Sequence, residues 1–430
     1  LTSFFDFWHW LIQINLNMKT KLNGILTLLL ALVVQVAFAQ QTVTGKVTDT
    51  EGGLFGAVVS VKGGSANTTT DFDGNYSIQA KTIKNRPNAN ILQTLSGQVA
   101  GLNINTTSGQ PGGDSTINLR GIGSINGNTE PLFIIDGAFV DEDNFRSLNP
   151  QDIKTISVLR DAAATAIYGN RGANGVVVIE TSQGSYDSPL EVSFNSLTTF
   201  TQLQDNDYGM MNSQQLLTLE RERGAGFGAG VYQGTGTALT DAEIAAAGTN
   251  DWREDFFRTG VTQNNTVSLS SGGKNSRQFT SFGYFDQEGI LVQSRLKRFN
   301  LRTNVSGRTE NDKFNYKLNL TANYSDSQEP NSIGSGAINR NYVLAGFQGV
   351  PWLSANDYST GADLLSPLLF ANTPLFLLDR LQTYNRKVEE VKIVGSLNLN
   401  YKITDDISLN STSGIDYQNA VLTRAEGSRS

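Results

Sequence analysis

The chain has no cysteine and a single histidine, His9, among its 430 residues. Without cysteine there can be no disulfide, no thiol nucleophile and no Cys-ligated metal. We predict that His9 precedes the mature protein, which then also lacks Ser-His-Asp triads, His-ligated zinc and histidine acid–base catalysis. The sequence therefore predicts a protein that is not an enzyme and that holds no cofactor and no metal.

Charged residues are also few, at 17% of the chain, and acidic residues exceed basic ones by 40 to 33. A protein that binds nucleic acid needs a basic surface to meet the phosphates, so we predict no nucleic-acid partner. The 43 glycines, together with the low charge, favour β-structure with many turns over helical bundles. At about 150 residues per domain, the length corresponds to about two or three domains.

One hydrophobic run near the beginning of the sequence has the form of a secretory signal peptide. A short basic segment starts at Met18, an apolar run of about ten residues follows, and an A-x-A site ends at Ala39. The run is too short to cross a bilayer as a helix, so we predict a signal peptide over 18–39. Residues 1–17 precede the first plausible start and are interpreted as an upstream artefact.

The next two segments are distinguished by their turns. Residues 41–80 contain short strand-like runs separated by Gly- and Asp-rich turns, which is typical of part of a β-sandwich. The run from Asp71 to Asn75 lacks the later glutamate of a calcium loop and is interpreted as a turn. Residues 81–185 combine glycine-punctuated strands with short helices, which predicts a compact α+β domain.

Residues 189–430 have the strongest alternation of apolar and polar side chains. From 313 to 323, Lys, Asn and Thr occupy every second position. Five large apolar side chains share the opposite parity: Phe314, Tyr316, Leu318, Leu320 and Tyr324. A strand of about ten residues with this pattern predicts a transmembrane β-barrel, with outer-membrane lipid outside and a wet lumen inside. A soluble β-sandwich also alternates and is the alternative fold.

The spacing of the strands agrees with a barrel. We expect about seven strands, at roughly 190–203, 261–272, 276–288, 296–309, 312–326, 387–403 and 406–422. Tight turns are expected at one rim and two long connections, at roughly 204–260 and 327–386, at the other. This asymmetry is typical of outer-membrane barrels, so we predict that the long connections face the cell exterior. The expected fold class is mainly β: a partial β-sandwich, an α+β domain and an incomplete antiparallel barrel over 189–430.

A series of motifs within 108–184 resembles one known family. The motifs are Ser108-Gly-Gln-Pro-Gly-Gly113, Ile117-Asn-Leu-Arg-Gly-Ile-Gly-Ser124, Glu130-Pro-Leu-Phe-Ile-Ile-Asp-Gly137, Val158-Leu-Arg-Asp-Ala162 and Ala166-Ile-Tyr-Gly-Asn-Arg-Gly-Ala-Asn-Gly175. Together they closely resemble the plug of TonB-dependent outer-membrane receptors of the SusC/RagA type. The resemblance places the plug over 81–185, with these motif residues: Arg120, Gly121, Gly123, Asp136, Gly137, Arg160, Asp161, Tyr168, Gly169, Arg171, Gly172 and Gly175. Residues 41–80 resemble the carboxypeptidase-regulatory-like sandwich that precedes such a plug.

The resemblance implies active import of large nutrients, oligosaccharides or peptides, at the cell outer membrane. It implies a barrel of about 22 strands around the plug. The implied partners are a SusD-like surface lipoprotein, which lids the extracellular mouth, and the TonB complex, which supplies energy. The alternative function is a secreted or surface module that binds glycans or acts as an adhesin. That alternative predicts soluble β-domains without a lipid-facing belt.

Two departures from the family pattern lead to a further expectation. No TonB-contacting segment is recognisable between Ala80 and Ile91. About seven strands are too few to close the family's barrel, and an open edge in lipid leaves backbone N–H and C=O groups unpaired. We therefore expect the chain to be a fragment that forms a curved open sheet around the plug and does not transport alone.

Five charged residues beside apolar runs are expected to fix the plug in place. They are Arg120, Asp136, Arg160, Asp161 and Arg171. In a plug, such residues are expected to pair with one another or with the inner wall of the barrel, although Arg171 could equally lie in an exposed turn.

Overall fold

The computed structural model describes residues 58–60, 67–69, 76–79, 102–106, 109–113, 115–119, 129–159, 166–205, 208–330, 341–355, 369–383 and 385–425. All of them belong to one compact unit, Phe55–Ser430. The predicted signal peptide and the motif residues Arg120, Gly121, Gly123, Arg160 and Asp161 lie outside the described residues. No helix in the described part of the chain is long and apolar enough to span a membrane.

The first nine strands are short. Their bounds are β1 Val58–Ser60, β2 Asn67–Thr69, β3 Tyr76–Gln79, β4 Leu102–Thr106, β5 Ser115–Leu119, β6 Leu132–Ile135, β7 Ala138–Val140, β8 Ile153–Leu159 and β9 Val176–Thr181. Strands β3, β8, β9, β6 and β7 form one sheet in that order, in which β6 and β9 are parallel. We call β3–β9 the plug. Strand β3 pairs with β8, so a strand from within 41–80 completes the plug sheet.

The hairpin between β6 and β7 turns through Asp136 and Gly137. Both residues have positive φ, 48° and 89°, as the two central residues of a type I′ turn require. This turn follows the right-handed twist of the flanking strands, and Asp-Gly is one of its preferred sequences. The turn places the Asp136 side chain at the end of the plug sheet.

The core of the plug lies between its sheet, the β4–β5 hairpin and a short helix, α1 Glu142–Arg146. Ile153, Ile156 and Val158 of β8 are fully buried there, and the Phe133 and Phe145 rings are 4.4 Å apart. Gly175 lies against this core with φ of +95°, where a Cβ would approach Leu119 Cδ1 to 2.6 Å. Two 3-10 segments, Pro150–Asp152 and Ala166–Gly172, connect the strands.

The remaining seven strands form a single antiparallel sheet, which we call the wall. They are β10 Ser188–Thr201, β11 Gly260–Gly272, β12 Ser276–Glu288, β13 Arg295–Arg308, β14 Phe314–Glu329, β15 Asn385–Lys402 and β16 Ser408–Ala425. Each strand pairs with the next in sequence, so β10 and β16 are the edges of an open sheet. The prediction of seven strands, of their positions and of an open sheet is confirmed.

The two faces of the wall differ as the alternation predicted. On β14, Leu318, Leu320 and Tyr324 are exposed on the outer face, whereas Phe314 and Tyr316 nearer its beginning are half-buried. Asn319 and Thr321, which have the other parity, are buried at 4% and 7% exposure. They are buried because the plug lies against the inner face. The prediction of a wet lumen is therefore wrong at this level of the wall.

The long connections at one rim contain helices. They are α2 Ser213–Arg223, α3 Asp241–Ala246, α4 Trp252–Phe256, α5 Tyr342–Gln348 and α6 Leu369–Thr383. Helices α4, α5 and α6 pack together with Leu291 of the β12–β13 connection. Three connections of the same rim are thus joined by one apolar cluster.

Arginine substitutions at the neighbouring positions 319 and 320 test the two faces of β14. The alternation of side chains predicts one outcome for each substitution, and the structure leads to a different expectation for position 319. Leu320→Arg on the outer face is expected to cost about 2–4 kcal/mol near the bilayer midplane. By sequence alone, Asn319→Arg should be tolerated in a wet lumen. In the structure Asn319 donates to Ser396 Oγ at 2.9 Å beneath the plug. We therefore expect Asn319→Arg to lower the free energy of unfolding by about 3 kcal/mol or more. The larger, charged side chain has to fit into the buried space that Asn319 and Ser396 fill.

The measurement is the free energy of unfolding of the protein in detergent or lipid, with Leu320→Ile as the matched control. An unchanged free energy of unfolding for Asn319→Arg would contradict the close contact between plug and wall.

Candidate functional site at the plug–wall interface

The centre of the interface is a buried ion pair between Asp136 of the plug and Arg302 of β13. The two side chains are each 1% exposed, and Arg302 Nη2 donates directly to Asp136 Oδ2. Asp136 also accepts from Thr181 N at 3.1 Å and from Thr181 Oγ1 at 2.6 Å. The carboxylate therefore joins the β6–β7 turn to the end of β9 and both of them to the wall.

Arg302 is held from the wall side as well. Thr321 is its cross-strand partner on β14, and Arg302 Nη1 donates to Thr321 Oγ1 at 2.7 Å. Asn304, one inward position further along β13, donates to Thr181 Oγ1 at 2.9 Å and to Ser182 O at 2.6 Å. Because a guanidinium has a planar donor fork, this arrangement fixes its direction as well as its position.

Other polar side chains on the inner face bind the plug strand by strand. Asn149 of the plug donates to Thr266 Oγ1 of β11 at 3.1 Å, and Asn323 of β14 donates to Ser147 Oγ at 3.1 Å. Further contacts are made by Asn300 with Ser147 O, Lys392 with Asp143 O, Ser396 with Asp136 O and Asp416 with Asn144. The inner Asn, Ser and Thr residues thus satisfy plug backbone and side-chain groups that are removed from water.

The linker from the plug to β10 lies against the opposite, tight-turn rim. The Tyr186 ring is 4.8 Å from the Arg277 guanidinium and 4.7 Å from that of Arg308. Arg277 also donates to Gln183 Oε1 at 3.0 Å and to Ser306 Oγ at 2.9 Å. The end of the plug is consequently fixed to two neighbouring wall strands.

The helical cluster of the long-connection rim is ordered by two anchors. Trp252, 2% exposed, donates its indole N–H to Val350 O at 2.8 Å. Asp251 caps α4 by accepting from Arg253 N at 3.0 Å. The Arg253 guanidinium also donates to this carboxylate and lowers the pKa of Asp251 below its ordinary value. That stabilisation is present at neutral pH and is lost as the pH falls through the lowered pKa.

The described motif residues occupy three different settings. Asp136 and Gly137 form the turn that contacts the wall, and Gly175 lies in the plug core. Tyr168, Gly169, Arg171 and Gly172 lie in the 3-10 segment before β9. Arg171 is exposed, with its guanidinium 5.7 Å from the Phe139 ring, and does not join the buried network.

Sequence reasoning missed the partners of Asp136. Arg302 and Thr181 donate the hydrogen bonds that Asp136 accepts, and neither residue was predicted as a site residue. The signal was present on β13, where Phe299, Leu301 and Val305 define the outer parity. Arg302 falls on the opposite parity, as a charged side chain in the middle of an inner face.

Comparison with known proteins agrees with this architecture. Residues 68–176 match the family described as TonB-dependent Receptor Plug Domain. The TonB-dependent receptor SusC of Bacteroides thetaiotaomicron is 28% identical over 472 residues, which cover 90% of this chain and 45% of that protein. The TonB-dependent receptor P26 of Formosa agariphila is 29% identical over 384 residues, which cover 86% of this chain and 36% of that protein.

A solved structure shows the same fold. The RagAB peptide transporter superimposes with a TM-score of 0.67 at 25% identity, over 81% of this chain and 41% of that chain. The chain spans less than half the length of these relatives.

A plug sheet held inside an antiparallel wall, together with these matches, defines a TonB-dependent receptor. The plug match, the SusC and P26 relatives and the fold shared with RagAB support a receptor of the SusC/RagA type, and such receptors are outer-membrane β-barrel proteins.

The Asp136–Arg302 pair is expected to stabilise the plug within the wall. Asp136→Asn should cost about 3–5 kcal/mol, because the Arg302 charge stays buried without its counter-ion. Arg302→Met should cost less, because Lys317 Nζ lies 4.0 Å from Asp136 Oδ1 and still faces the carboxylate. The double variant should recover part of this loss. Urea unfolding of the whole receptor measures the effect, since an isolated plug segment would lack Arg302. Arg171→Met, on an exposed side chain, is the control, and additive single and double losses would contradict the coupling.

The rim cluster is expected to depend on Trp252. Trp252→Ala should cost the cluster about 3–5 kcal/mol, because it removes a buried indole and leaves Val350 O without its donor. Protease cleavage within the two long connections should become faster while the wall stays intact. Tyr208→Ala, in the same connection but 75% exposed in the wild type, should have no effect on cleavage. Equal cleavage of wild type and Trp252→Ala would show that the cluster does not order the rim.

Proposed function

We propose that a receptor containing this chain imports a large nutrient, an oligosaccharide or a peptide, across the outer membrane. The observation that supports this most is the closed contact between plug and wall, centred on Asp136 and Arg302. A lumen filled by a separate domain has to be opened for each passage. In the proposed open state, the plug has left the wall, and water or substrate replaces the polar contacts between them.

The energy for this opening is proposed to come from the TonB complex, and a SusD-like surface lipoprotein is proposed to cover the extracellular mouth. The TonB complex is supported by the names of the relatives, which are TonB-dependent receptors. Transport of a large nutrient is supported by RagAB, which is described as a peptide transporter. The SusD-like lipoprotein is proposed from the sequence resemblance to the SusC/RagA type. No catalytic step is part of the proposal. A secreted adhesin is disfavoured, because its β-domains would not enclose a plug.

The outer face of the wall is proposed to contact lipid through Phe314, Tyr316, Leu318, Leu320 and Tyr324. The segment 41–80 is proposed to be part of a carboxypeptidase-regulatory-like sandwich and 81–185 to be the plug proper. In this division, β3 contributes an edge strand to the plug sheet from the preceding domain.

A plug tether tests the proposal. A Cβ built on Gly414 of β16 lies 3.6 Å from Ala138 Cβ of β7, within the range of about 3.5–4.5 Å found in disulfides. The chain has no cysteine of its own, so Ala138→Cys/Gly414→Cys introduces the only pair in this sequence. Uptake of labelled oligosaccharides and oligopeptides is measured in a strain whose own copy of the receptor is deleted and which expresses the tested variant of the whole receptor.

The oxidised double variant is expected to lose energised uptake at least tenfold, and reduction is expected to restore it. Each single cysteine variant serves as the control, and a TonB-deficient strain shows the energy requirement. Full uptake with the disulfide formed would overturn the proposed opening at this contact. Absence of uptake of either nutrient class by the unmodified receptor would overturn import itself.

A further inference from the structure

A row of polar side chains crosses the inner face of the wall beside the plug, on the side of the tight-turn rim. The strand register aligns one residue from each of five neighbouring strands, β12 to β16: Arg277, Ser306, Lys317, Asn398 and Thr412. The next row away from this rim contains Asn304, Asn319 and Ser396, which the plug covers. The row of Lys317 therefore borders the plug on its tight-turn side.

This row lines a cavity of about 370 Å³. Arg277 and Lys317 are the two cations of the described lining, and that lining contains no carboxylate. Arg277 donates to neutral acceptors, Ser306 Oγ and Gln183 Oε1. One step nearer the rim, amide side chains continue the lining across three strands: Asn315, Asn400 and Asn410. The cavity thus combines open space with positive charge and hydrogen-bond donors.

The β6–β7 turn of the plug lies at the edge of this cavity. A Cβ built on Gly137 lies 3.5 Å from Oδ1 of Asn398, which also lines the cavity. Lys317 Nζ lies 4.0 Å from Asp136 Oδ1, and Arg302 binds the other oxygen, Oδ2. The Asp136 carboxylate therefore faces two cations on neighbouring strands, one for each oxygen.

The two cations hold the carboxylate in different ways. The Arg302 side chain is 1% exposed and donates directly to Asp136, with a planar fork that fixes the direction of the contact. The Lys317 side chain is 33% exposed, and 4.0 Å is longer than a hydrogen bond. An ammonium is a point charge on a flexible four-carbon stem, so Lys317 can follow a carboxylate that moves.

Movement of the plug away from Arg302 separates a buried carboxylate from its counter-ion, which is costly where water is excluded. Arg302 keeps its hydrogen bond to Thr321 of the wall, but Asp136 needs a new partner. Toward the tight-turn rim, the cavity supplies space for the turn and Lys317 supplies the charge.

We propose that Lys317 is the second counter-ion of Asp136, which takes the carboxylate over from Arg302 as the plug moves toward the tight-turn rim. Lys317 is thus a positioning residue for transport. The inference rests on the proposed import function and adds to it the direction in which the plug leaves this contact.

The rate at which position 138 becomes accessible tests this exchange. Ala138 is 3% exposed, and its Cβ lies 3.6 Å from a Cβ built on Gly414 of the wall. Ala138→Cys therefore places a thiol that a reagent reaches when the plug leaves the wall. The whole receptor with this substitution is expressed in cells with and without TonB and treated with N-ethylmaleimide. Mass spectrometry of the peptide that contains position 138 gives the rate of modification.

Lys317→Met is expected to slow TonB-dependent modification at least about fivefold, because the moving carboxylate then has no second counter-ion. Arg302→Met is expected to accelerate it, because the closed contact is weakened. Lys317→Gln should act like Lys317→Met. Lys317→Arg keeps the charge and should retain the wild-type rate to within about twofold. Lys313→Met is the matched control, since Lys313 has the same parity and is exposed in the turn before β14.

The direction of the effect separates this role from a purely structural one. If Lys317 only strengthened the closed contact, its removal would accelerate modification, as Arg302→Met does. An unchanged or faster rate in Lys317→Met, with modification still dependent on TonB, would overturn the inference and leave the import function standing. In the receptor that carries only Ala138→Cys, modification that is absent, or equally fast without TonB, would overturn energised opening at this contact and the inference with it.

Discussion

The requirement to match a buried guanidinium governs how the plug and the wall are arranged. Arg302 lies on the inner face of the wall, out of reach of water, and an arginine cannot discharge itself by losing a proton at physiological pH. Asp136 supplies the opposite charge, and Thr181 and Thr321 supply two further acceptors for its Nη groups. The plug consequently has one orientation in the lumen, which the surrounding Asn, Ser and Lys contacts then reinforce.

The same constraint accounts for the shape of the plug hairpin. Asp136 reaches the wall because the β6–β7 turn has positive φ at both central residues, and the turn needs Gly137 for that reason. The conformation of this turn thus determines where the Asp136 carboxylate lies. Its counter-ion, Arg302, follows more than a hundred residues later in the sequence. The polar inner face of the wall is the complementary half of the same interface.

Local patterning was sufficient for the wall and insufficient for the interface. The alternation around Leu318 and Leu320 identified the strand, its faces and its neighbours, because the two-residue period of a strand is a local property. The expectation that Asp136 pairs either with another plug charge or with the inner wall was also accessible from sequence. The partner Arg302 was not, since register across strands depends on which turns close the sheet. The burial of Asn319 was missed for a related reason, because a polar inner face looks the same in sequence whether water or another domain covers it.

The separation of Asp136 and Arg302 along the chain has a consequence for biogenesis. Arg302 follows Asp136 by 166 residues and emerges later from the ribosome and from the export channel. The plug hairpin can therefore form early, but its carboxylate has no counter-ion until β13 has been delivered and paired. Completion of the plug is in this way tied to assembly of the sheet around it.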